Sequence, residues 1–127
     1  MKREELVKEA EDVFEICKTL LRGKGAEYSK DNNVFSVFEK CGDDLDISPL
    51  IPIKLFMDKH YSSITSYIKK IVNGTDVNTL NSELSEPIDG RIQDMINYLV
   101  LLEAYIKQLS DENPSETSFY KKNIDIK

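Results

Sequence analysis

The residues best able to do chemistry are Asp94, Asn97 and Tyr98, which lie close together in the segment 85–98. At helical spacing Asp94 and Tyr98 share one face, with Asn97 beside them. Asp and Asn are poor residues for a helix interior, because their short side chains compete for nearby backbone groups. A carboxylate flanked by an amide and a phenol can hold a metal ion, a ribose hydroxyl or a base edge. Arg91 is either an ion-pair partner of Asp94 or a ligand contact.

A second group of polar residues includes the only histidine, His60. It falls on the apolar stripe of a predicted helix, where a lone histidine is most often a packed core residue. Its neighbour Lys59 can offer an ammonium to a phosphate, although a lysine more often extends into water. The polar, glycine-rich segment 23–33 allows close approach of an anion, but on spacing alone an ordinary helix-ending turn is the better interpretation. Its candidate contacts are Lys24, Tyr28 and Asn33.

The composition excludes several classes of function. A net charge of −6 argues against non-specific binding to nucleic acid, which needs clustered Lys and Arg. Cys17 and Cys41 fit no metal-ligand spacing, and Cys17 is expected as a packed, reduced thiol. No secretion signal or membrane span is evident, so we expect a cytoplasmic protein that does not enter membranes. No serine- or cysteine-nucleophile motif is present, which leaves metal-assisted chemistry as the open catalytic class.

The hydrophobic periodicity predicts an all-α fold, a small bundle of three long helices plus a short one. The long helices are expected at about Arg3–Arg22, where glycines follow, from Ser48–Pro49 to Val72, and from Ser85–Glu86–Pro87 to about Leu109. The apolar spacing of the short segment 34–41 is compatible with a strand or a helix. No other segment offers a partner strand, and an isolated strand is not stable, so we expect a helix.

The same periodicity predicts which residues face the core. The connection 73–85 is expected to be polar and mobile, and residues 1–110 to form one domain. Residues 111–127 are expected as a partly ordered tail, in which Phe119–Tyr120 can dock on the body or a partner. The inward stripes of the three helices are expected at Leu6, Ala10, Val13, Cys17 and Leu20; at Ile53, Met57, His60, Ile64, Tyr67 or Ile68, and Ile71; and at Ile88, Ile92, Met95 or Ile96, Leu99, Leu102, Ile106 and Leu109.

Three short motifs resemble a known family. They are Lys24 with Glu27-Tyr28 and Asn33-x-Phe35-x-x-Phe38, then Met57-Asp58-Lys59-His60, then Glu86 with Asp89-Gly90-Arg91-Ile92-x-Asp94-x-x-Asn97-Tyr98. Together they resemble the nucleotide-modification-associated proteins of phage and prophage genomes, over roughly residues 20–109. That family is remotely similar to the all-α nucleotide pyrophosphohydrolases of the MazG and dimeric dUTPase type.

The resemblance implies a MazG-like helical bundle that pairs with a second copy and binds a nucleotide near the second and third helices. In MazG-type enzymes, two glutamates on one helix and an acidic pair on the next hold magnesium. Here Asp58-Lys59-His60 stands in place of the first pair, and Arg91 stands in place of one acid of the second. The resemblance therefore leaves Asp94 and Asp58 to hold Mg²⁺.

The leading hypothesis is a phage-type nucleotide-binding or nucleotide-processing protein, whose processing form is a divalent-metal-dependent NTP pyrophosphohydrolase with a degenerate metal site. Whether it is an enzyme stays open. Its nucleotide contacts are predicted at Lys24, Tyr28, Asn33, Lys59, His60, Arg91, Asn97 and Tyr98, with Asp94 and Asp58 for the metal. The alternative is a non-catalytic helical interaction or sequestration protein of phage origin. It is motivated by a second apolar stripe on the third helix, at Leu101 and Tyr105, because a helix apolar on two sides needs two partners.

Overall fold

The computed structural model describes residues 1–28, 33–84 and 87–112, without the side chains of residues 24–28. Within these ranges the chain is helical and has no strand, which confirms the expected all-α class. No helix among the described residues is long and apolar enough to cross a membrane. The tail with Phe119–Tyr120 and the predicted helix start at Ser85–Glu86 lie outside the described residues. The helices are α1 (Arg3–Tyr28), α2 (Ser36–Leu45), α3 (Leu50–Val72), α4 (Val77–Glu83) and α5 (Ile88–Glu112).

The apolar segment 34–41 does form a helix, and polar side chains fix where α2 begins. Asn33 Oδ1 accepts from the backbone N–H of Phe35 at 3.1 Å, and Asn33 Nδ2 donates to Glu39 Oε1 at 3.2 Å. The first bond satisfies one backbone donor just before the helix, and the second ties the side chain of Asn33 to the first turn of α2. Asn33 was predicted as a nucleotide contact, and its observed bonds give it a role in starting α2.

A tight turn joins α2 to α3. The Ile47 N–H donates to the Gly42 carbonyl at 2.9 Å, and Asp46 adopts a left-handed conformation with φ of 55°. A Cβ on Gly42 would lie 2.6 Å from the Ile47 carbonyl oxygen, so only glycine fits there. Ser48 Oγ then accepts from the Leu50 N–H at 3.2 Å, which satisfies a backbone donor at the start of α3.

The predicted end of the first helix was wrong. The helix α1 does not end near Arg22 but continues through Gly23 to Tyr28. Glycine costs a helix only about 1 kcal/mol and ends it where the chain turns to positive φ. Among the described glycines only Gly74, with φ of +99°, does so, at the predicted end of α3.

The connection after α3 was expected to be mobile, yet it contains α4. Asp76 starts this helix, because its side chain accepts from the backbone N–H of Thr79 at 3.1 Å. Leu80 anchors it, with only 2% of its surface exposed. The sequence signal was three apolar residues in a polar stretch, Val77, Leu80 and Leu84, which span only about two turns and are too few to establish a helical period.

The core lies where α2 packs against α3 and α5. Phe35, Phe38, Ile53 and Tyr105 form a buried cluster, in which the rings of Phe35 and Tyr105 meet edge to face at 5.0 Å. Ile53 clusters with Tyr105, whereas His60, two turns later on α3, meets Tyr98, two turns earlier on α5. The two helices are therefore antiparallel. On α3 the predicted inward residues Ile53, Met57 and His60 are confirmed as core or core-packed.

The predicted inward stripe of α5 was right only in part. Leu102 and Leu109 pack against the core as predicted. Ile92, Leu99 and Ile106 are exposed, and Leu101 and buried Tyr105 face the core in their place. Both stripes have helical spacing and similar apolarity, so periodicity alone cannot select between them. Tyr105 determines which stripe faces the core, because its ring packs against the ring of Phe35. On α1, Leu6 is likewise exposed, whereas Cys17 is buried as predicted.

Candidate functional site

A buried amide links α1 to α5. Asn97 has only 8% of its surface exposed, and its Nδ2 donates to the Cys17 carbonyl oxygen at 3.3 Å. The Cys17 thiol lies 3.9 Å from the carbonyl oxygen of Gln93, one turn earlier on α5. Asn97 Oδ1 is also buried and has no hydrogen-bond partner among the described residues. A buried carbonyl oxygen without a partner is costly, which is unusual for a residue that serves packing alone.

His60 and Asp94 meet across the interface of α3 and α5. His60 is 6% exposed, so the prediction that it lies in the core is confirmed, and its Nδ1 is 4.0 Å from Asp94 Oδ2. The His60 ring also lies 5.3 Å from the ring of Tyr98, which stacks on Phe56 at 5.8 Å. The structure therefore brings together His60, Asp94, Asn97 and Tyr98 with Cys17, and we call these five residues the polar cluster.

The electrostatics of the polar cluster oppose nucleophilic chemistry. Burial, and then the negative charge of Asp94, raise the pKa of the Cys17 thiol above its ordinary value. The same two causes in the same order raise the pKa of the Tyr98 phenol. Only a thiolate is a good nucleophile, and a raised pKa makes it rarer. The polar cluster thus holds protonated donors beside a carboxylate, which suits hydrogen bonding to a ligand.

A cleft of about 330 Å³ opens between α3, α4 and α5. The Tyr67 hydroxyl donates to Asn81 Oδ1 at 2.6 Å and so ties α3 to α4 across its wall. One part of the lining is apolar and comes from α4, the residue after it and the start of α5. The other part is polar and carries two cationic groups. The apolar residues are Leu80, Leu84 and Ile88, and the polar ones are Ser62, Ser63, Ser66, Tyr67, Lys70 and Arg91.

The cleft adjoins the polar cluster. Ser63 follows His60 by three residues on α3, and Arg91 precedes Asp94 by three residues on α5. Residues at this spacing are neighbours on a helix surface, about one turn apart. Because α3 and α5 run antiparallel, both steps lead in the same direction, from the polar cluster to the cleft. Among the predicted nucleotide contacts whose side chains the structure describes, Arg91 is the one that lines the cleft.

The other predicted residues are not brought to the cleft. Lys59 is exposed, and the side chains of Lys24 and Tyr28 lie outside the described residues. Asp58 pairs with Lys54 on the surface of α3. It precedes His60 by two residues, so it points to the opposite side of α3 from the histidine that meets Asp94. No group of three or more His, Cys, Asp or Glu side chains that could hold a metal occurs in ranges 1–23, 33–84 and 87–112.

Sequence reasoning missed the polar lining of the cleft. A signal was present, because Ser63, Ser66 and Lys70 follow each other at spacings of three and four and so share one face of α3. In the sequence, that face looks like an ordinary solvent-exposed surface. It becomes part of a cleft only because another helix packs opposite it. The wall is α4, which the sequence did not predict.

Comparisons of this chain with models of protein families, with curated proteins and with solved structures found no match.

Proposed function

We propose that the protein binds a nucleotide, with its phosphates at the polar part of the cleft. The observation that supports this proposal is the pairing of Lys70 and Arg91 with three serine hydroxyls in one cleft of a chain whose net charge is −6. On an acidic protein, two cationic groups lining the same cleft create a local site for an anion.

The polar lining matches the chemistry of a phosphate chain. The Arg91 guanidinium offers a planar fork of donors, and the Lys70 ammonium offers a compact positive charge. The hydroxyls of Ser62, Ser63 and Ser66 can donate to phosphate oxygens or accept from a ribose hydroxyl. Because Ser63, Ser66 and Lys70 share one face of the rigid helix α3, their positions relative to each other are fixed before the ligand arrives.

The apolar lining suits the base and sugar. Leu80, Leu84 and Ile88 offer a surface without hydrogen-bonding side chains. Small-molecule sites usually combine such a surface with a few placed polar groups, in cavities of about 300–1,000 Å³. A cleft of about 330 Å³ is at the small end of this range, so we propose a mononucleotide as the ligand.

The polar cluster supplies the neighbouring contacts in this proposal. Asp94, one turn from Arg91, is the carboxylate best placed for a Mg²⁺ ion that also binds the phosphates, since magnesium commonly takes one or two carboxylates plus substrate oxygens. The structure places Asp58 away from Asp94, so the proposal uses Asp94 alone. The hypothesis has two versions. In the binding version the protein only binds the nucleotide, and in the processing version it also cleaves the phosphate chain.

A panel of dNTPs and NTPs, each with and without Mg²⁺, tests both versions. Binding should raise the melting temperature, by an amount equivalent to about 2.7 kcal/mol at ligand about one hundred times above the dissociation constant. Release of monophosphate would establish processing. The binding version fails if no nucleotide changes the melting temperature at millimolar concentration.

A second candidate is a non-catalytic interaction protein, favoured by the exposed apolar stripe on α5. Substituting Asp94→Asn separates the two. If the protein binds a nucleotide through Mg²⁺, its affinity should fall in the variant. If α5 docks a partner through its exposed stripe, the affinity for that partner should be unchanged, because Asp94 faces α3.

A further inference from the structure

An apolar face of α1 continues beyond the part that α5 covers. Cys17 lies on this face and is 4% exposed, at the point where α1 meets Gln93 of α5. Over about three turns before it, apolar residues recur at spacings of three and four, which places them on the same side of the helix as Cys17. They are exposed or only partly buried. These residues are Leu6, Val7, Ala10, Val13 and Phe14, and we call them the α1 stripe.

The α1 stripe is separate from the core and from the cleft. None of its residues belongs to the buried cluster around Ile53 or to the described lining of the cleft. Leu6, Val7 and Phe14 are large apolar side chains exposed next to one another on one helix. A contiguous exposed apolar surface with polar borders is typical of a contact with another molecule.

Glutamates border the α1 stripe on both sides. Glu9 lies three residues after Leu6, and Glu11 lies three residues before Phe14, so each neighbours the stripe on the helix surface. Because the two glutamates are two positions apart, they point to opposite sides of the helix, one at each edge of the stripe. Both are exposed, and among the described residues neither forms an ion pair.

We propose that the α1 stripe binds a basic amphipathic helix of another protein. The apolar side of that helix packs on the stripe, and the lysines or arginines beside its apolar side meet Glu9 and Glu11. The stripe is about 12 Å long from Leu6 to Phe14, so the interface is small and we expect a dissociation constant in the micromolar range. The proposal concerns a different surface from the nucleotide cleft and does not rest on nucleotide binding.

The charges favour a basic partner over a second copy of this chain. If two α1 stripes paired symmetrically, the glutamate edges of the two copies would meet each other, whether the helices ran parallel or antiparallel. Like charges brought together across an interface oppose binding. A basic helix instead offers opposite charge at both edges, and the net charge of −6 attracts it from a distance.

Titration of the full chain with a labelled synthetic peptide tests the chemistry of the partner. The probe is a helical peptide of about 18 residues, with leucines at spacings of three and four and lysines elsewhere. A matched peptide carries glutamate in place of each lysine. Fluorescence anisotropy should show micromolar binding of the lysine peptide, and binding of the glutamate peptide should be at least about tenfold weaker.

Two neighbouring variants locate the apolar contact. Phe14 and Ile16 are similarly exposed, at 54% and 46%, but only Phe14 belongs to the stripe. We expect Phe14→Asn to weaken binding of the lysine peptide about tenfold or more, and Ile16→Asn to weaken it less than about twofold. Circular dichroism of each variant confirms that it is folded.

Two double variants with the same change in net charge test the borders. Asp12 and Glu15 point away from the stripe and pair with Lys8 and Lys18. Glu9→Gln with Glu11→Gln should weaken binding of the lysine peptide about fivefold, and Asp12→Asn with Glu15→Gln less than about twofold.

Four results would overturn the proposal. They are a lysine peptide that does not bind at high micromolar concentration, a glutamate peptide that binds as tightly, equal effects of Phe14→Asn and Ile16→Asn, and equal effects of the two double variants. Sedimentation provides a further check, because a dimer of the full chain that Phe14→Asn dissociates would assign the α1 stripe to a second copy instead.

Discussion

At the scale of single residues, Asn97 carries the strongest sign that something besides folding selected the polar cluster. Its amide joins α5 to α1 through the Cys17 carbonyl, yet its Oδ1 is buried without a partner among the described residues. A ligand or a water molecule that donates to this oxygen would complete its hydrogen bonding. Without such a donor, Asn97 contributes less to stability than an amide with all its hydrogen bonds made would.

Two substitutions of Asn97 separate these roles. Asn97→Ala should lower the free energy of unfolding by about 1–3 kcal/mol, because it removes the bond to Cys17 and leaves a gap. Asn97→Leu should stay within about 1 kcal/mol of the wild type, since it fills the space and removes the buried oxygen that has no partner among the described residues. Urea unfolding measures both. A leucine variant that loses as much stability as the alanine variant would show that the amide itself, and not the filled space, is needed for folding.

The environment of Tyr98 in the polar cluster allows a prediction of how the free energy of unfolding depends on pH. Burial, and then Asp94, raise the pKa of Tyr98 above its ordinary value of 10.0, so the folded chain holds this proton more tightly than the unfolded one. Its contribution to stability is complete below about pH 10 and is lost as the pH rises through the folded pKa. Urea unfolding between about pH 9 and about pH 11 should show a shallower decline for Tyr98→Phe.

The exposed Tyr61 provides the control for this measurement. Tyr61→Phe should leave the decline as steep as in the wild type. An identical slope for the Tyr98 and Tyr61 variants would mean that the environment of Tyr98 does not favour its proton. Cys17, whose pKa is also raised, adds to the decline in every one of these proteins from about pH 9.

Several residues of the site could be predicted from the sequence and others could not. Asp94, Asn97 and Tyr98 were recognisable because short polar residues are rare inside an apolar helix, and His60 because it falls in the stripe of Ile53. Lys70 was not recognisable, since a lysine on a helix surface is ordinary until an opposing wall encloses it. The cleft depends on long-range packing, which periodicity does not encode.

At the scale of elements, glycine gives the clearest contrast between what spacing predicts and what the backbone does. Gly23 lies inside α1 with no heavy atom within 4 Å of an added Cβ, whereas Gly42 has the Ile47 carbonyl oxygen at 2.6 Å. Gly23→Ala should therefore raise the free energy of unfolding by about 0.5–1 kcal/mol, because alanine is the better helix former. Gly42→Ala should lower it by about 1–3 kcal/mol.

Thermal or urea unfolding of the two alanine variants checks this pair. A Gly23→Ala variant that is less stable than the wild type would indicate that α1 does not continue through this position. A neutral Gly42→Ala variant would indicate that the turn between α2 and α3 can relax by several tenths of an ångström.

The long helices were predictable and their faces were less so. Start and stop signals at Ser48 and Gly74 place α3 correctly, because each satisfies backbone groups locally. On α5 the two apolar stripes are equivalent to any periodicity measure, and the choice is made by Phe35 from another part of the chain. The formation of α4 depends on its cap at Asp76 and on the burial of Leu80. The burial of Leu80 is a tertiary effect, so local sequence signals alone do not predict this helix.

At the scale of the whole molecule, charge is distributed unevenly with respect to the cleft. The chain carries 23 acidic and 17 basic residues, yet the described residues that line the cleft include two cations and no carboxylate. Long-range repulsion from a net charge of −6 opposes an anionic ligand, so binding depends on these two local cations. The same net charge opposes non-specific binding of a nucleic-acid backbone, which needs clustered Lys and Arg.

The most direct test of this account compares nucleotide affinity in two adjacent lysine variants by calorimetric titration. Lys69 and Lys70 are both exposed in the last turn of α3, but only Lys70 lines the cleft. With the nucleotide that stabilises the wild type most, Lys70→Gln should weaken binding about tenfold, as expected for loss of one charge-assisted phosphate contact, and Lys69→Gln less than about twofold. Equal affinities in the two variants would contradict the placement of the phosphates in this cleft.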